Sequence, residues 1–101
     1  MNPAQMQKMM KEAQKLQATL EKEQQELSRK EYTHTVGGGA ITIVMNGAKK
    51  LISINIKEEI IEPEEKEFIE DMIISGINAT IDMIDVESDE VIGALTKGLP
   101  F

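Results

Sequence analysis

EYTHTVGGGAITIVMNGAKKLISINIK, residues 31–57, is the stretch whose reading decides the fold. Residues 31–36 (Glu-Tyr-Thr-His-Thr-Val) and 40–45 (Ala-Ile-Thr-Ile-Val-Met) are dense in β-branched side chains, which are stiff at χ1 and pack well on a pleated surface. Gly37-Gly38-Gly39 separates them, so the two runs read as a hairpin with a glycine loop. Asn46-Gly47 follows, the strongest short-range turn signal because both residue types tolerate positive φ. From Leu51 to Lys57, Ile52, Ile54 and Ile56 alternate with Ser53, Asn55 and Lys57, giving one apolar and one polar face. The stretch therefore predicts a three-stranded antiparallel meander. Tyr32 and His34 stand two apart and share a face of its first strand, where packing or rim roles are expected and no acid–base role.

Outward from the meander, both flanks read as long helices. Asn2 is placed to cap a helix whose first position is Pro3, where a missing N–H costs nothing, and neither Gly nor Pro interrupts the chain from there to about Lys30. Met6, Met9, Ala13, Leu16, Leu20 and Leu27 fill heptad a and d positions, with Glu23 at one d site. On the other flank Pro63 opens an acidic turn, Glu64, Glu65 and Glu67, that suits the positive end of a helix dipole. Phe68, Ile69, Met72, Ile73, Ile77, Ile81 and Ile84 then make a broad apolar face. That pattern runs to about residue 90 or beyond, through Val91, Ile92 and Leu95, with a candidate break near Ser88 and stop signals at Gly98 and Pro100. The expected class is α+β in the order α-β-β-β-α, as one domain over residues 1–101: helix about 3–30, sheet about 31–57, helix from about 63, and a short tail.

Length then speaks to assembly. A first helix of about 28 residues spans about 42 Å, whereas a seven-residue strand covers only about 23 Å. The overhang carries Met and Leu at a and d positions, so it is expected to meet the second helix, the same helix of another copy, or both. A homodimer with projecting helical arms follows.

The charge pattern is the functional signal. Lys8, Lys15, Lys22 and Arg29 recur every seven residues, with Lys11 on the adjoining face, in a chain whose net charge is −7. Residues 1–57 hold nine Lys/Arg against five Asp/Glu, and residues 58–101 hold two against thirteen. One end is suited to an anion and the other repels it. The plainer reading is a solvated face stitched by the i,i+4 pairs Lys8–Glu12, Lys22–Glu26 and Glu26–Lys30.

Other chemistries are poorly supplied. With no Cys and a single His, thiolate zinc sites and imidazole clusters have no ligands. Gly37-Gly38-Gly39 lacks the Lys-Ser/Thr ending of a phosphate loop, and the clusters Glu64/Glu65/Glu67 and Asp85/Glu87/Asp89/Glu90 lack the ligand order of a calcium loop. No enzyme activity, cofactor, metal or small-molecule substrate is expected. The first ten residues hold no apolar leader and no stretch approaches the roughly 18 apolar residues of a membrane span, so a cytoplasmic protein is expected. Only three aromatics occur, Tyr32, Phe68 and Phe101, too few for base-stacking platforms, which favours duplex over single-stranded nucleic acid.

The Met/Gln/Lys-rich first helix, Val44-Met45-Asn46-Gly47 with Leu51, Ile54 and Ile56, the segment Asp71-Met72-Ile73-Ile74-Ser75-Gly76-Ile77-Asn78-Ala79, and Gly93-Ala94-Leu95-Thr96-Lys97-Gly98-Leu99-Pro100 together resemble the YbaB/EbfC family of bacterial nucleoid-associated proteins. The resemblance implies a tweezer-shaped homodimer that binds DNA and associates with the nucleoid, through the helices flanking the sheet. From Glu64 to Asp89 the second helix offers only Lys66 as a cation, so the expected DNA-binding set lies on the first: Lys8, Lys11, Lys15, Lys22 and Arg29, with duplex DNA as partner. The rival expectation is a protein-interaction module resembling prefoldin, using the long helices and a Met-lined seam without DNA.

Overall fold

Asn2 starts the fold as its sequence predicts. Its side chain accepts from the Gln5 N–H at 2.8 Å while the Gln5 side chain accepts from the Asn2 N–H, a reciprocal cap, and Pro3 takes the first helical position. From there α1 runs unbroken over Pro3–Arg29. The structure, a computed structural model, describes residues 2–97. The expected stops at Gly98 and Pro100, and the third aromatic, Phe101, lie outside the described residues.

α1 passes into the sheet without a loop. Lys30 leaves the helix in extended conformation, its N–H donating back to the carbonyls of Glu26 and Leu27, and β1 (Glu31–Val36) begins at the next residue. β2 (Ile41–Asn46) and β3 (Leu51–Ile56) complete an antiparallel meander in the order β1-β2-β3. Gly37, Gly38 and Gly39 all have positive φ (63°, 68° and 91°), so the first turn uses three consecutive left-handed residues that side chains would strain.

The second turn differs from its sequence reading. Asn46 and Gly47 do not form a two-residue turn: Asn46 ends β2, and its carboxamide oxygen accepts from the N–H groups of Ala48 and Lys50. The left-handed residue is Lys49, at φ 65°. What position 47 requires is space, since a Cβ there would sit 1.7 Å from the Leu27 carbonyl oxygen. Gly47 instead donates its N–H to the Lys30 carbonyl at 2.9 Å, fastening this turn to the end of α1.

The register shifts between Val44 and Met45, so Val44 faces Ser53 while Met45 faces Leu51 and Ile52 is left over. The expected apolar trio on β3 is thereby divided: Ile54 and Ile56 are half-buried, whereas Ile52 is 49% exposed.

After two short 3-10 turns (Glu58–Ile60 and Pro63–Glu65), α2 covers Lys66–Thr96. The acidic turn expected to open the helix is this second 3-10 turn, and no break occurs at Ser88. α2 crosses the sheet over β1 and β2, where Gly76 lets it approach closely: a Cβ there would lie 3.0 Å from Ile43 and 3.3 Å from Val36. Tyr32, Ile41, Ile43, Met45 and Ile84 form the buried apolar core, and the buried Thr80 hydroxyl is satisfied by donating to the Gly76 carbonyl at 2.7 Å. Beyond the sheet, α2 turns its half-buried Val91, Ile92 and Leu95 toward the C-terminal half of α1, where Leu16, Leu20, Glu23 and Leu27 are half-buried.

The extents, 74 × 19 × 15 Å, and the radius of gyration of 20.6 Å far exceed the ~13 Å radius of a compact domain of this length. The excess is α1. Every residue from Pro3 to Lys15 is exposed, with Met6, Met9 and Met10 at 52%, 52% and 60%.

Replacing Gly47 by Ala forces the turn and the end of α1 apart, and a loss of about 2 kcal/mol or more is expected in urea unfolding, the scale of overpacking a close contact. Unchanged stability would mean that the two backbones are not in contact.

Candidate nucleic-acid interface

All five sequence-predicted cations lie on α1 and all five are exposed. At about 100° per residue, Lys8, Lys11, Lys15, Lys22 and Arg29 fall within a sector of roughly 60°, so Lys11 belongs to the ladder and not to a separate face. That sector is roughly opposite the Met/Leu seam. Lys8 to Arg29 spans about 32 Å of helix, close to one turn of B-form DNA.

The i,i+4 pairs of the plainer reading do not close. Among the described residues the ion pairs are Lys30–Glu87, at 2.5 Å, and Lys49–Asp85, at 2.6 Å, and both join the sheet end to α2. Lys30, expected to pair with Glu26, is thus spent on another element, and among the described residues none of the five cations of the sector is in an ion pair.

The Lys30–Glu87 pair is part of a knot that sequence reasoning missed. Tyr32, 7% exposed, donates its hydroxyl to the other oxygen of the Glu87 carboxylate, and the Lys30 ammonium sits 5.2 Å from the centre of the Tyr32 ring. Nothing in local spacing announces a contact across 55 residues; a lone Tyr beginning a strand was the only available signal. Hydrogen bonds from Lys30 and then Tyr32 hold the Glu87 carboxyl below the usual carboxylate range, against the opposing effect of burial. Burial, reinforced by the hydrogen bond to Glu87 and its negative charge, pushes the Tyr32 phenol up from 10.0 to about 12. Because folding lowers the Glu87 value, its contribution is present above the ordinary carboxylate range and is lost as pH falls through the lowered value. Because folding raises the Tyr32 value, its contribution is complete below pH 10 and is lost as pH rises toward about 12.

A long cation-bearing helix joined without a loop to a three-stranded meander, with a second long helix laid across it, defines an α-β-β-β-α sheet-and-arm protein. Similarity to known proteins places it further. The sequence profile of the YbaB/EbfC DNA-binding family matches residues 1–99, and the chain belongs to that family. It is 40% identical over 94 residues to a nucleoid-associated protein of Clostridium kluyveri, covering 93% of this chain and 82% of that one. It is 38% identical over 96 residues to a nucleoid-associated protein of Streptococcus equi subsp. zooepidemicus, covering 95% and 97%. An uncharacterized protein of Helicobacter pylori, known from its crystal structure, shares the fold at a TM-score of 0.73 and 16% identity, over 94% of this chain and 97% of that one. Among the described residues no helix is long and apolar enough to cross a membrane.

Tyr32 is the single tyrosine and there is no tryptophan, so ultraviolet titration reads this site alone. Phenolate absorbance is expected to rise near pH 12, and to move part of the way back toward 10 in Glu87→Gln, with burial holding the remainder. Titration of the unaltered protein at the ordinary tyrosine value would remove the knot from solution.

Proposed function

We propose that this protein is a non-enzymatic, nucleoid-associated duplex-DNA binder in which two copies pair and the projecting α1 arms present Lys8, Lys11, Lys15, Lys22 and Arg29 to backbone phosphates. The observation that carries the reading is the arm itself: five exposed, unpaired cations in one sector of a helix that stands clear of its own sheet. Membership of a DNA-binding family, and relatives named for the nucleoid, support it and favour the cytoplasm and nucleoid as its place.

Pairing is supported by an unfinished core. β3 is an outer strand, α2 lies over β1 and β2, and Ile54, Ile56, Ile73, Ile77 and Ile81 are only half-buried while Ile74 is 60% exposed. A second copy on that side completes the burial, and each isoleucine fully covered contributes about 1.5–3 kcal/mol. A prefoldin-like interaction module needs two free heptad helices, and here the first half of α2 is committed to the sheet.

Binding of this kind is electrostatic. If about five phosphates are neutralised, log K falls against log salt with a slope of about −4.5, and each phosphate left without its cation makes that slope shallower by about 0.9. Gel-shift titration on duplex DNA across a salt range is expected to give that steep slope in the unaltered protein and a much shallower one, with weak binding, in Lys15→Glu combined with Lys22→Glu. No shift at low salt, or an identical slope in the variant, ends the DNA reading. Light scattering tests pairing separately: twice the chain mass is expected, falling toward one chain in Ile74→Glu, and a monomeric unaltered protein refutes it.

A further inference from the structure

Beside the Lys30–Tyr32–Glu87 knot, on the β1 side of α2, lies an open groove of about 660 Å³. Its floor is apolar: Tyr32, Ala79, Met83 and Val86, the last two 40% and 58% exposed. Its rim is acidic, with Asp82 and Glu90 outside any ion pair among the described residues. The groove is separate from the half-buried isoleucines on the β3 side and from the cation sector of α1.

The chain also carries a segment that matches it. From Pro3 to Lys15 the arm holds three Lys and one Glu, so it is cationic where the rim is anionic, and it exposes Met6, Met9 and Met10. Methionine is unbranched and adaptable, suited to an open and irregular apolar floor. By helical rotation Met6, Met9, Met10 and Ala13 gather on one side, and Lys8, Lys11 and Lys15 lie about 150° round from its centre. The match cannot be made within one chain. Lys30 lines the groove and also ends α1, so on an unbroken helix Met9 stands about 30 Å from its own groove.

We infer that this groove receives the N-terminal arm of a second copy, Met side down, while the docked arm keeps its lysines turned outward for phosphate. The attraction between a cationic arm and an acidic rim steers the encounter, and burial of Met6, Met9, Met83 and Val86 holds it. The arm of one copy and the groove of another are different surfaces; docked in one direction, without a reciprocal exchange of arms, the contact is head-to-tail and extends from copy to copy. An arm seated this way lines up with the cations of its neighbour, and DNA binding becomes cooperative. This last consequence rests on the proposed DNA reading; the docking itself does not.

The absence of cysteine makes the test direct, because introduced thiols are then the only ones present. Met9→Cys and Val86→Cys are prepared as separate single variants, both at exposed positions outside the cation set. Mixed and mildly oxidised, they are expected to yield the heterodisulfide about tenfold above a control mixture of Met9→Cys with Thr35→Cys, because docking raises the effective thiol concentration. Yield no greater than the control overturns the proposal. In parallel, Val86→Glu with Met83→Glu leaves every cation in place: gel shifts are expected to turn from cooperative to a Hill coefficient of about 1 with single-site binding retained, and unchanged cooperativity also overturns it. If no variant binds DNA, the DNA reading fails, and the heterodisulfide still decides the docking.

Discussion

The structure hangs on a junction with no spare residue. α1 ends at Arg29, Lys30 turns the chain, and Glu31 is already in the sheet. A junction this short transmits direction, because no loop is present to absorb a change of angle. Three contacts then fix the angle: the Gly47 N–H on the Lys30 carbonyl, the Lys30 ammonium on Glu87, and the Tyr32 hydroxyl on the same carboxylate. The first ties the arm to the second turn and the other two tie it to α2. Most helical stability in proteins comes from tertiary packing, so this anchorage and the packing of α1 on α2 are what give the arm a defined direction.

Elements set by local chemistry were legible from sequence. The Asn2 cap, Pro3 at the first position and the absence of Gly and Pro to Lys30 specify a helix, and β-branched runs divided by glycines specify the meander. What was not legible is tertiary. Asn46-Gly47 carries a local turn signal, yet the glycine is used because the Leu27 backbone passes where a side chain would be. The register shift that leaves Ile52 over is a matter of strand pairing and twist, and an alternating pattern contains no trace of it. Glu87 looked like one member of an acidic surface cluster, and only the path of α2 brings it to Lys30 and Tyr32. The cations of α1 are visible as a ladder, but whether their neighbours neutralise them is not; among the described residues side-chain geometry puts none of the five in an ion pair.

The excess of carboxylates in the second half of the chain is the main physical objection to an anionic partner, and the placement of those carboxylates answers it. Asp85 and Glu87 face Lys49 and Lys30 across the junction, so part of the negative charge is met inside the molecule. Along α2 the carboxylates stop at Glu90: from Val91 to Lys97, the part that runs back beside α1, there is no Asp or Glu and one Lys. Lys15 is about 22 Å of helix from the junction and Lys8 about 33 Å. At physiological ionic strength the Debye length is about 8 Å, so under the proposed reading repulsion between a duplex on the outer arm and the acidic end would be largely screened, while cations meeting phosphate would act at contact distance and release counterions. Within one copy, distance along one straight helix thus separates the outer cations, Lys8, Lys11 and Lys15, from an acidic end that would cancel them in a compact fold, and the elongation of the molecule is how a chain of net charge −7 keeps a cationic segment.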